Sequence, residues 1–121
     1  MFHMKTPGVT TLSDWERGVL LGILMSDGTF GGDGRQPHCI VKAHVRRESL
    51  LRWMVERVPG AKLYGPYLHG ERHYLQVMVR GEALRDLLAN LDLKSWQAVD
   101  PSSFARVQDM LDRYRMNLDS G

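Results

Sequence analysis

Two stretches of the sequence alternate between apolar residues and residues that donate hydrogen bonds or carry charge. In the first, Cys39, Val41, Ala43 and Val45 are small or apolar, while His38, Lys42, His44 and Arg46 are polar, with Ile40 the exception. In the second, His73, Leu75, Val77 and Val79 alternate with Tyr74, Gln76, Met78 and Arg80. A period of two is that of a β-strand, whose successive side chains point to opposite faces. Two such strands in one sheet set a basic, hydrogen-bonding surface behind an apolar one. That surface has the chemistry to read base edges in the DNA major groove. The same pattern also describes a sheet whose polar side meets only water.

Charge narrows the choice. Residues 35 to 80 carry nine Lys/Arg against three acids, a balance of +6, while the rest of the chain sums to −4. His38, His44, His69 and His73 fall in the same basic segment. A basic middle between acidic ends suits one polyanion-binding face. Arg35, Lys62, Tyr64 and Arg72 join the strand residues as candidate DNA contacts, with double-stranded DNA as the expected partner.

The elements that must position these residues follow from local signals. Ser13 and Glu16 have the spacing of a capping box, so a helix is expected over about 14–25, with Val19, Leu20, Ile23 and Leu24 as its apolar pairs. Gly28 is expected in the left-handed conformation that ends many helices. Strands are expected over 29–33 and 38–46, a second helix over 47–58 stopped by Pro59 and Gly60, and strands over 61–68 and 72–80 joined by a turn at 69–71. A third helix over 82–90 and a last one opened by Asp100 and Pro101 complete the order α-β-β-α-β-β-α-α. Strand pairs joined by short loops imply an α+β fold with an antiparallel four-stranded sheet and helices on one face.

The bulk properties agree. The 121 residues fit a single domain over 1–121, with a core over about 13–117. The longest apolar run, Val19 to Met25, is far below the roughly 20 residues of a membrane span. The first residues, Met1 to Lys5, lack the basic head and apolar run of a signal peptide. Cys39 is the only cysteine, which excludes an internal disulfide and a cysteine zinc site. A reduced, cytoplasmic protein with no membrane partner is expected.

The segment Leu20-Leu21-Gly22-Ile23-Leu24-Met25-Ser26-Asp27-Gly28 resembles the LAGLIDADG motif of homing endonucleases. Leu20, Gly22, Asp27 and Gly28 match in place, and Thr29-Phe30 continues the match. Met25 departs where the signature has its first acid, a position that varies. The α-β-β-α-β-β-α order read above is also that of the family, so the resemblance spans about residues 13–117 with an extra C-terminal helix. A second match, Leu91 to Ala98, looks like the family segment that carries an active-site lysine, which falls here on Lys94.

The resemblance implies a site-specific endonuclease that cuts both DNA strands with Mg²⁺ or Mn²⁺, encoded in an intron or intein or free-standing. It implies that Asp27 is catalytic and, with Gly28, binds metal. It also implies that His44 or Arg46 occupies the place of a residue orienting the attacking water, with no choice between them. One motif is present, so the active form is expected to be a homodimer on a near-palindromic site. Gly18, Leu21, Gly22 and Met25 are the expected interface.

Elementary energetics fit that picture. A glycine within a helix costs about 1 kcal/mol relative to alanine, so Gly18 and Gly22 need a compensating role such as close helix approach. An aspartate at a helix C-terminus faces partial negative charge and calls for a cation, and Mg²⁺ prefers carboxylate, phosphate and water oxygens. The rival readings are a non-cleaving DNA-binding protein on the same fold, a regulator or intron-splicing helper, and an unrelated small α+β protein.

Overall fold

The computed structural model describes residues 11–118; the segment Met1–Lys5 read above for a leader lies outside them. The chain runs α1 (Asp14–Asp27), β1 (Gly28–Gly32), β2 (Pro37–His44), a 3₁₀ turn (Val45–Arg47), α2 (Glu48–Arg57), β3 (Lys62–His69), β4 (Arg72–Arg80), α3 (Gly81–Ala89), α4 (Leu93–Val99) and α5 (Pro101–Arg113). The four strands form one antiparallel sheet in the order β1-β2-β4-β3. This is the expected α+β architecture, with one helix more than the sequence pattern suggested.

Local chemistry explains most boundaries. The Ser13 hydroxyl accepts the Glu16 N–H at 3.2 Å and Glu16 Oε1 accepts the Ser13 N–H at 2.8 Å, so α1 opens with the predicted capping box. The Glu16 carboxyl is held below its ordinary value first by the Ser13 backbone hydrogen bond. The unforeseen α4 is opened by Asp92, whose carboxylate accepts the Ser95 N–H at 3.0 Å and the Ser95 hydroxyl at 2.6 Å. It is then held by Trp96, fully buried, whose indole N–H donates to Ser103 Oγ at 2.7 Å.

Two expectations are corrected. Gly28 is not left-handed: its φ of −74° and ψ of 136° are extended, because β1 starts there with no loop after α1. Glycine is required by space instead. A Cβ on residue 28 would stand 2.6 Å from the Leu24 carbonyl oxygen and 3.0 Å from the Phe30 ring. Arg46 is not on a strand. β2 ends at His44, whose Nδ1 accepts the Arg46 N–H at 3.1 Å and caps the 3₁₀ turn.

The core lies between the sheet and the helices. Cys39, Val41, Leu75, Val77 and Val79 supply the sheet side, facing Leu20 and Leu24, Leu51 and Met54, Leu84, Leu87 and Leu88, and Phe104 and Val107. Burying such side chains stabilises by about 1.5–3 kcal/mol each. No polar or charged residue is buried among the described residues. Burial pushes the Cys39 thiol up to about 12, which leaves it protonated and inert. No helix among the described residues is long and apolar enough to cross a membrane.

Candidate nucleic-acid interface

The helices cover one face of the sheet and leave the other open, so strand register decides which side chains share that face. Thr29 pairs with Ile40, Ile40 with Met78, and Met78 with Lys62. One step along, Lys42 pairs with Gln76 and Gln76 with Tyr64. A further step gives His44 opposite Tyr74 and Tyr74 opposite Tyr67. At the far end His38 stands opposite Arg80. The polar sets of β2 and β4, far apart in sequence, are thus one continuous surface with a single apolar row, Ile40–Met78, across it.

Tyr67 belongs to this surface and was missed by sequence reasoning. Tyr64 and Tyr67 are three apart, which in a regular strand sets them on opposite faces. The register shifts between them, at Gly65 and Pro66, and the shift returns Tyr67 to the face of Tyr64. The Tyr67 and Tyr74 ring centroids are 5.4 Å apart, and Lys42 Nζ lies 5.7 Å from the Tyr74 centroid. The outer half of the β3–β4 hairpin projects beyond the helices, and its Leu68 is 68% exposed. The signal available in the sequence was the Gly-Pro pair inside a strand, which marks an edge strand or a bulge.

An open groove of about 620 Å³ is lined by Lys42, Ala43, His44, His69, Arg72, His73 and Tyr74. Arg72 and His44, expected as DNA contacts, meet there, with His69 and His73 beside them. The imidazole of His44 spends Nδ1 on the Arg46 backbone. In its neutral form the proton therefore sits on Nε2, which can only donate. Arg35 lies apart, in the β1–β2 turn, where Asp33 accepts the Arg35 N–H at 2.8 Å and the Gln36 N–H at 2.9 Å. Those bonds, the Gln36 one first, hold the Asp33 carboxyl below its ordinary value.

Asp27 closes α1 at the edge of this surface. It is exposed, and no basic residue occupies the last turn of the helix. The Ser26 hydroxyl reaches Asp27 Oδ2 at 3.2 Å and the Gly22 carbonyl at 2.9 Å. Among the described residues no ion pair reaches Asp27. The next residue, Gly28, pairs with Val41, and His44 lies three residues, roughly 10 Å, further along β2. No trio of His, Cys, Asp or Glu close enough to hold a metal exists among the described residues. The donor set of one chain, a single carboxylate with the Gly28 backbone beside it, suits a hard divalent cation but fills only part of its shell.

Lys94 is exposed in the first turn of α4. Its charge contributes to the lowered Asp92 carboxyl, after the Ser95 hydrogen bonds. Two residues on, Trp96 meets Phe30 edge-on at 5.5 Å, which anchors α4 against β1 three residues past Asp27. The interface residues expected on α1 divide in two. Leu21 and Met25 are half-buried against the core. Gly18 and Gly22 are exposed, and a Cβ at either would meet nothing within 4 Å.

No family model matches the sequence, and no curated protein does. Among solved structures the chain is similar to the homing endonuclease I-CvuI, solved in complex with the I-CreI DNA target in the presence of Mg with the DNA not cleaved. The likeness covers 88% of this chain and 83% of that one, with a TM-score of 0.51 and 17% identity. What the two share is the fold. The α+β arrangement derived above from register and capping is therefore also that of a homing endonuclease.

Proposed function

We propose that this chain is a single-motif member of the LAGLIDADG homing endonucleases, one domain that works as a homodimer and cuts double-stranded DNA with a divalent metal. The observation that carries this is on α1. An exposed carboxylate without a cation ends the same helix whose Gly18 and Gly22 lie open. One Asp27 is half of a metal site, and a second copy seated on the glycine face brings the other half. The fold shared with a DNA-bound homing endonuclease supports the same reading.

Roles follow from position. The surface of Lys42, Gln76, Tyr64, Arg80 and His38 reads bases, and Arg35, Lys62, Arg72, Tyr74 and His44 add contacts around it. Asp27 from each copy, with the Gly28 backbone, would hold Mg²⁺ or Mn²⁺. When bound, such an ion supplies an activated water and neutralises charge on the phosphoryl oxygens. His44, with Nδ1 occupied, acts as a hydrogen-bond donor orienting water or phosphate; Arg46 is the alternative from the 3₁₀ turn. Lys94 stabilises the negative charge that grows on the cleaved phosphate. A role in intron or intein mobility, acting on DNA in the cytoplasm, belongs to the same proposal.

The test is a plasmid-nicking assay with and without Mg²⁺, using sites selected from a randomised duplex library, with binding measured in Ca²⁺. Metal-dependent linearisation is expected. Binding without cleavage would instead make the chain a DNA-binding regulator or splicing helper. Neither binding nor cleavage would remove the reading.

A further inference from the structure

The open face of the sheet carries one row whose side chains cannot donate a hydrogen bond. Ile40 stands opposite Met78 on the two inner strands, β2 and β4, with Thr29 beyond Ile40 and Lys62 beyond Met78. Their chain neighbours Cys39, Val41, Val77 and Val79 are buried in the core, so Ile40 and Met78 point the other way. Both are half-buried. Among the described residues, neither belongs to the core or to the half-buried set packed against it. The core therefore gives no reason for apolar side chains at these two positions.

What surrounds the row is polar and basic. One step along the strands lie Lys42, Gln76 and Tyr64, and one step the other way lie His38 and Arg80. Rows two residues apart are about 7 Å apart, close to two base steps of a duplex. A ligand complementary to this face is negatively charged around an apolar group at its centre. Duplex DNA offers both. Every base edge in its major groove is a donor or an acceptor except for one group, the C5-methyl of thymine. Isoleucine and methionine give no donor and at best a weak acceptor. A purely polar base edge set against them loses its water without gaining a bond, whereas a methyl gains burial from the same contact.

We infer that Ile40 and Met78 read the C5-methyl group of pyrimidines, selecting thymine over cytosine between the positions read by Lys42 with Gln76 and those read by Arg80, and accepting 5-methylcytosine where they accept thymine. This rests on the proposed reading of the open face as the one that meets DNA, and adds the chemical group that decides specificity there. The two residues contribute differently. Ile40 is β-branched and stiff about χ1, so it sets a fixed apolar surface. Met78 is unbranched and polarisable, so it adapts to where the methyl lies. Thr29 and Lys62, both exposed, end the row with polar groups and confine the apolar contact to its middle. Methylation of a cytosine at these positions then turns a poor site into a good one, so modification of the target regulates binding.

The experiment changes the methyl alone. In the selected duplex each thymine is replaced in turn by uracil, which removes the C5-methyl and nothing else, and affinity is measured in Ca²⁺. Uracil is expected to weaken wild-type binding about fourfold per methyl, the fold-change of burying one such group. The effect should be confined to thymines lying between the positions relaxed by Gln76→Ala and those relaxed by Arg80→Ala. At the same positions cytosine should bind poorly and 5-methylcytosine should restore binding. Ile40→Ala and Met78→Ala, each checked for folding by thermal unfolding, should bind the thymine and uracil duplexes alike. The uracil series on wild type stands without either variant. Wild-type binding indifferent to uracil at every such position, or a selected site without thymine there, would overturn the inference and leave the endonuclease reading intact. A uracil penalty that persists in both folded variants would overturn the assignment to Ile40 and Met78. Methyl-sensitive binding without cleavage would keep the inference and make the chain a regulator, while a chain that binds no duplex would remove both readings.

Discussion

Lys42 and Gln76 stand directly opposite each other on neighbouring strands, with Tyr64 across Gln76 on the other side. Cross-strand neighbours of this kind have Cβ atoms about 5 Å apart, so in the function proposed above the three would face the same one or two base pairs. Lys42→Ala or Gln76→Ala is expected to cost roughly 1–3 kcal/mol at the preferred base and to relax preference there. Because the residues share a row, both substitutions should affect the same positions of the site. Arg80→Ala should affect positions farther out. Binding profiles over single-base variants of the selected duplex check this, and flat profiles for all three would mean that the sheet does not read DNA.

Asp27→Asn is expected to abolish cleavage while keeping or strengthening DNA binding. The substitution removes a negative charge from the helix C-terminus and leaves the strands untouched. Single-turnover cleavage in Mg²⁺ beside an affinity in Ca²⁺ separates the two effects. Unchanged nicking would take Asp27 out of the mechanism.

Much of this architecture was legible in the sequence because its signals are local. The period of two over 38–44 and 72–80 located the strands and their open face, and Ser13 with Glu16 located the start of α1. What escaped depended on tertiary context. Tyr67 joins the face only through a register shift, which alternation alone cannot foresee. The short α4 depends on burial of Trp96, and isolated helices of that length do not hold in water. Gly28 was assigned to a left-handed turn because Asp-Gly pairs often end helices; here a strand follows at once, and the need for glycine comes from Leu24 and Phe30. Asp27 was legible as a residue of the motif, and in the function proposed above a second chain would complete its metal site.

Gly22→Leu tests that second chain. In a lone molecule the added side chain has room, since a Cβ there meets nothing within 4 Å. In a helix-paired dimer it wedges the seam apart, at a cost of about 1–3 kcal/mol or more per contact. Monomer stability is therefore expected to hold or rise, as glycine leaves a helix interior, while dimerisation and cleavage fall. Thermal unfolding and sedimentation, each with and without DNA, give the two readouts. A wild type that sediments as a monomer both free and on DNA would contradict the dimer.

Cys39 offers a prediction about stability and pH. Burial raises its thiol from 9.0 to about 12 in the folded chain. A raised acid pKa means that the unfolded chain ionises first, so stability is fully present below about pH 9 and declines as pH rises towards 12. The slope attributable to this group is roughly 1 kcal/mol per pH unit. Replacing it by Cys39→Ala is expected to flatten the alkaline decline relative to wild type in urea titrations. Equal slopes for the two proteins would show that the thiol is not desolvated as described.

Lys94 is tested against its own support. Lys94→Met removes the charge from an exposed position, so folding, affinity and sequence preference should stay close to wild type. Cleavage should slow strongly if the ammonium stabilises the charge that develops on the phosphate. Trp96→Ala acts on the same lysine by another route. It deletes the buried ring that meets Phe30 and Phe104 and holds α4 in place, at an expected cost of about 3–5 kcal/mol in stability. Cleavage by that variant, measured well below its unfolding temperature, should also fall, because Lys94 is no longer positioned. The two variants differ in a way that separates chemistry from scaffolding: only Trp96→Ala lowers the unfolding temperature. A Lys94→Met protein that cuts at the wild-type rate would make that lysine ordinary surface, and normal cleavage by a folded Trp96→Ala protein would show that α4 has no part in the reaction.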